Sequence, residues 1–140
     1  VCANLIPQLA GNTVSRQIIN TVNAPQPKAP LSQAVRSGNL VFVSGMTPFT
    51  TDSKLSKGDF DSQMRQTMEN LGAVLEASAS GFDRVLKCTV ILARIEDWRR
   101  MNEIYSESWP KGSFPARTAF CAPLPHPDFL VEVECVAETG

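Results

Sequence analysis

Residues 59–92, DFDSQMRQTMENLGAVLEASASGFDRVLKCTVIL, decide the fold. Phe60, Met64, Met68, Leu71 and Leu75 recur at spacings of three and four, so they form one apolar stripe on a helix running from Asp59 to about Ala79. Asp59 or Asp61 carries the short acceptor side chain that caps a helix N-terminus. Gly81 is placed to stop the other end. Beyond it the pattern changes, and Val85–Leu92, rich in β-branched residues, reads as a strand.

Toward the N-terminus, residues 16–20 form a candidate short strand. Pro25, Pro27 and Pro30 then exclude both helix and central strand, leaving an extended loop. Residues 32–36 and 40–44 flank Ser37-Gly38-Asn39, a hairpin signal. Val41-Phe42-Val43 is continuously apolar, which predicts a strand buried on both faces. Residues 46–57 read as a loop.

Toward the C-terminus, residues 96–109 predict a second amphipathic helix, with Trp98, Met101, Tyr105 and Trp109 on one side and Pro110 as its end. Ala116–Cys121 predicts a strand, residues 123–127 a rigid proline-rich loop, and residues 129–137 a last strand. The order β-β-β-α-β-α-β-β implies an α+β (mixed α/β) fold, one mixed sheet covered on one face by two helices. We divide the chain into an extension, 1–14, and a single domain, 15–140.

A chain of 140 residues can bury one core without covalent staples. Its 43% apolar and 19% charged residues are ordinary for a globular protein. With 13 basic and 14 acidic residues the formal charge is −1, which gives no support to nucleic-acid binding, since that relies on a basic face. No apolar run approaches the length of a membrane span. The first dozen residues lack the basic start of a signal peptide. Cys2, Cys88, Cys121 and Cys135 have no zinc or redox spacing. The last three lie in apolar runs and are expected to be reduced core thiols. The expected location is the cytoplasm, with the mitochondrion as the alternative reducing compartment.

The sequence has a single histidine, His126, in the proline-rich loop, and it is read as a surface residue; catalysis by it is the less favoured alternative. No nucleophile elbow, dinucleotide fingerprint or phosphate loop occurs. Three features stand out. Arg117 interrupts an apolar strand, so its guanidinium faces solvent, pairs with a carboxylate or offers its planar fork to a ligand. Glu132 and Glu134 share one face of the last strand, either in water or with a carboxylate beside Arg117 that orients a water molecule. Ser44-Gly45 ends the buried strand, and Gly45 permits close backbone approach there, by a ligand or merely by a turn.

Taken in order, Asn23-Ala-Pro25, Ser32-Gln-Ala-Val35, Gly38-Asn-Leu-Val-Phe-Val-Ser-Gly45, Gln66-Thr67, Lys87-Cys-Thr-Val90, Asn102-Glu-Ile-Tyr105, Pro115-Ala-Arg117 and Val131-Glu-Val-Glu134 resemble the Rid (YjgF) family over residues 23–137. The resemblance implies a chorismate-mutase-like fold and a homotrimer with ligand clefts between subunits. It also implies cofactor-independent hydrolysis of imines and enamines to 2-oxo acids and ammonia. By the same resemblance, Arg117 holds the substrate carboxylate and Glu132 positions the attacking water. Ser44, Gly45 and Leu31 line the pocket, and Asn102 either stands near it or makes a structural helix contact. The small ligand is a carboxylate-bearing imine, enamine or 2-oxo acid. The family also carries alternatives: a noncatalytic sensor, a chaperone-like holdase, or an endoribonuclease and translation inhibitor. Leu31, Met46 and Ala119 stand where family members commonly have Tyr, Gln and Cys. Three apolar side chains thus replace polar ones, which predicts a preference for larger, apolar substrates.

Overall fold

A computed structural model describes residues 15–56 and 58–140; the expected extension at 1–14, and Cys2 with it, lies outside the described residues. The six strands are β1 (Gln17–Ile19), β2 (Ala34–Ser37), β3 (Leu40–Met46), β4 (Val85–Leu92), β5 (Ala116–Cys121) and β6 (Val131–Glu138), and the two helices are α1 (Phe60–Ala77) and α2 (Trp98–Ser106). The strands form a single sheet in the order β1-β2-β3-β6-β4-β5. Only β4 and β5 run parallel, joined through α2; every other pairing is antiparallel. Both helices pack on one face, as the element order implied. No helix among the described residues is long and apolar enough to cross a membrane.

The apolar stripe of α1 is buried throughout, and Val41, Val43, Val90, Leu92, Val131 and Val133 meet it from the sheet. Asp59 is the cap, its carboxylate accepting from the Ser62 amide at 2.9 Å. The other end differs from expectation. The Ala79 amide donates to Glu76 O and the Ser80 amide to Leu75 O, a Schellman closure in which Ala79, not Gly81, takes the left-handed conformation at φ 56°. Helix α2 ends at Ser106, earlier than expected, because Pro110 disfavours helical backbone at Trp109 before it. Trp109 is buried all the same.

The hairpin turn is Gly38-Asn39, with Ser37 paired to Leu40 inside the strands. Gly38 supplies φ 62° there. Strand β3 is not buried on both faces. Val41 and Val43 are buried, but Phe42 between them is 48% exposed, because among the described residues no element covers the far side of the sheet. That open face also carries Phe120, 44% exposed. The cysteine expectation holds for Cys88 and Cys135, which are buried neighbours across β4 and β6, and fails for Cys121, which is exposed at the end of edge strand β5.

Three buried amides pin the loops to this frame. Gln33 accepts from the Thr21 amide at 2.6 Å and donates to the carbonyls of Thr21 and Pro25. Gln63 donates to Asp128 O and accepts from the Leu130 amide, each at 2.8 Å. Asn70 donates to the carbonyls of Thr47 and Phe49. Each satisfies backbone groups that would otherwise be costly to bury.

Candidate active site

Arg117 pairs in register with Cys88 on β5 and β4 and points to the helix side. Its Nη1 lies 3.6 Å from Met101 Sδ, and its guanidinium sits 4.8 Å from the centre of the Tyr105 ring. Among the described residues Arg117 has no carboxylate partner, whereas Arg65, Arg94, Arg99 and Arg100 all do. Its fork is therefore open to a ligand. Asn102, Tyr105, Ser106, Phe114 and Pro115 complete a shallow recess of about 380 Å³ around it. The structure thus brings Asn102 and Arg117 together.

The remaining predicted residues gather elsewhere. Strand β3 advances three residues from Val43 to Met46 while β6 advances two, so Ser44 and Gly45 together oppose Glu134 in a β-bulge. Bulges re-aim side chains at strand ends. The Ser44 hydroxyl donates to Ser32 O at 2.6 Å, which ties the bulge to the loop before β2. Gly45 is required by its neighbour: a Cβ there would fall on Glu132 Oε1 and 2.8 Å from Cδ. Gly45 also borders a cavity of about 300 Å³ walled by Pro25, Leu31, Met46, Phe49 and Phe129. Leu31 and Met46 therefore do share an apolar wall. Ala119 does not belong to it; it packs half-buried on the core from β5.

Glu132 stands on the open face, beside Gly45 and in register with Ile91. Partial burial, and then the like charge of Glu134, raise its pKa above the usual carboxylate range. Within one chain Glu132 and Arg117 occupy opposite faces of the sheet, so the carboxylate is not beside the guanidinium. His126 is less exposed than a surface reading implies. Its ring stacks on Phe129 at 4.9 Å and meets Phe49 edge-on, while Nδ1 accepts from the Asp128 amide. Sequence reasoning missed the Tyr105 ring beneath Arg117. Its only signal was the spacing of Met101, Tyr105 and Trp109, which reads equally as core.

A six-stranded mixed sheet with two helices on one face is an α+β architecture shared with many solved structures. The Endoribonuclease L-PSP family profile matches residues 21–139. The RutC family protein UK114 of Drosophila melanogaster is 44% identical over 131 residues, covering 92% of this chain and 94% of that protein. The 2-iminobutanoate/2-iminopropanoate deaminase of Mus musculus is 36% identical over 131 residues, covering 92% and 96%. The crystal structure of YEO7 from yeast superimposes with a TM-score of 0.86 at 32% identity, covering 90% of this chain and all of that one. The chain belongs to the Rid (YjgF/RutC) family.

Proposed function

We propose that this protein hydrolyses 2-imino acids, and the enamines in equilibrium with them, to 2-oxo acids and ammonia. The deaminase relatives support this type of reaction. The observation that carries the reading is Arg117, a half-buried guanidinium with no carboxylate of its own, set in an open recess. Its planar fork suits two-point contact with a substrate carboxylate.

Glu132 holds the water. The water adds to the imine carbon while Glu132 takes one of its protons and returns it to the nitrogen, giving a carbinolamine; Glu132 then carries the hydroxyl proton to the amine, the C–N bond breaks as the C=O forms, and ammonia leaves. A carboxylate whose pKa is raised is suited to both halves of this exchange. An imine is already electrophilic, so placement and proton transfer are the work required. Ser44, Gly45 and Leu31 border the water side, and Asn102 the carboxylate side.

Because Arg117 and Glu132 lie on opposite faces of one chain, the reading requires a second copy to bring one group against the other. A homotrimer with clefts between subunits meets that need and covers the exposed Phe42 and Phe120. The family's endoribonuclease label is not favoured here. The formal charge is −1, and four arginines are already paired with carboxylates.

The test is release of ammonia and 2-oxo acid from an imine freshly generated by an amino-acid oxidase. Hydrolysis well above the buffer rate is expected; a rate equal to buffer would refute the proposal. Light scattering is expected to give the trimer mass, and a monomer at micromolar concentration would remove the shared cleft.

A further inference from the structure

Behind Arg117 runs a line of aromatic contacts that the reaction described above does not use. The guanidinium lies over the face of Tyr105 at 4.8 Å. Tyr105 packs at 4.8 Å on Trp109, and Trp109 meets Phe82 edge-on at 5.1 Å. Phe82 in turn rests on Gly72 of α1, where a Cβ would come within 3.0 Å of the ring. Tyr105 and Trp109 are buried, and Met101 closes the other side of Arg117 through sulfur. The Tyr105 hydroxyl is buried beside the Cys88 thiol, and it is the ring that meets the guanidinium.

An arginine held by no ion pair is free to turn about its side-chain bonds. Two-point capture of a carboxylate needs its plane fixed beforehand, and the face of an aromatic ring fixes it. We propose that Tyr105 is a positioning residue: its ring sets the plane of the Arg117 guanidinium, and Trp109 and Phe82 hold that ring against α1. This rests on the reading of Arg117 as the carboxylate anchor.

Three variants and one spectroscopic readout test it. Tyr105→Phe keeps the ring and discards only the hydroxyl beside Cys88; it should bind a small 2-oxo acid as the wild type does. Tyr105→Leu should weaken that binding by about tenfold, with the loss in KM rather than kcat. Val41→Ala, in β3 far from β5, should lower the melting temperature without altering affinity. In parallel, the Arg117 Nε–H resonance, assigned by its loss in Arg117→Lys, should be ring-shifted in wild type and Tyr105→Phe and unshifted in Tyr105→Leu. An unshifted wild-type resonance would overturn the proposal. So would equal weakening by Val41→Ala, or failure of Phe to preserve binding. If the wild type binds no 2-oxo acid, the anchor reading of Arg117 fails, and the resonance alone still decides whether the ring orders the guanidinium.

Discussion

Arg117 and Glu132 occupy regions built in different ways. The Arg117 recess lies on the helix side, where a rigid edge strand meets buried α2 side chains, and its charge rests on sulfur and an aromatic face. The Glu132 region lies on the open side, where a bulge and a glycine make room for a carboxylate beside its like-charged neighbour Glu134. In the proposed reaction the first holds a negative charge still and the second keeps a proton exchangeable. A catalyst that separates binding from proton transfer in this way should respond to mutation in separable ways.

The largest expected effect is on turnover. Glu132→Gln should lower kcat by about 10²–10⁴ while leaving the affinity for a 2-oxo acid nearly unchanged; steady-state kinetics with calorimetry will separate the two. The pH profile sharpens the point. The pKa of Glu132 is raised, so the acid limb of kcat/KM should lie above the ordinary carboxylate value. Glu134→Gln removes the repelling charge and should move that limb to lower pH. The linkage to stability has the opposite sign to a salt-bridged acid. In the window between the ordinary and the raised value, the native state holds a proton that the unfolded chain has lost. Stability should therefore fall as pH rises through this window.

Next comes binding. Arg117→Ala should cost roughly 2–5 kcal/mol of affinity for a 2-oxo acid, and Arg117→Lys should recover little, since an ammonium lacks the planar fork. Unchanged affinity by calorimetry would make Arg117 purely structural and erase the contrast. A smaller effect concerns selection. Leu31 and Met46 wall the cavity beside Gly45, and apolar walls gain by burying substrate carbon, at roughly 25 cal/mol per Å². Imines of leucine or methionine should therefore be hydrolysed faster than 2-aminoacrylate. Leu31→Tyr should shift the ratio back by about tenfold; competition assays will show whether it does. The smallest effect is a control outside both regions. Ala79→Gly should stabilise the fold by about 0.5–1 kcal/mol by relieving the left-handed alanine, with binding and turnover unaltered, as urea titration and kinetics will report.

The architecture was legible because its signals are periodic. The α1 stripe, the β-branched Val85–Leu92 and the alternation of β6 each state their own face. What escaped depends on contacts between distant segments. The one-sided exposure of β3 hides in Val41-Phe42-Val43, since three apolar residues in a row do not reveal whether anything covers the second face. Cys121 reads as core from its neighbours but ends an edge strand. The loop clamps made by Gln33, Gln63 and Asn70 have no local pattern at all. For the site, residue types were visible and their grouping was not: Asn102 joins Arg117, whereas Leu31, Gly45 and Glu132 collect at the bulge, because bulge and sheet face are set by pairing register.

Strand β6 lies between β3 and β4 in the sheet although it follows β5 in the chain. Until residues 131–138 are available, β1-β2-β3 and β4-β5 are separate pieces, each with an unpaired inner edge. On the ribosome, nearly the whole domain must therefore emerge before the sheet can close, and folding begins late with long-range pairing, as between Leu40 and Glu138. Throughout that interval the edges of β3 and β4 are templates for the wrong strand. The position of one strand thus makes the nascent chain the stage at which this protein depends most on protection from its neighbours.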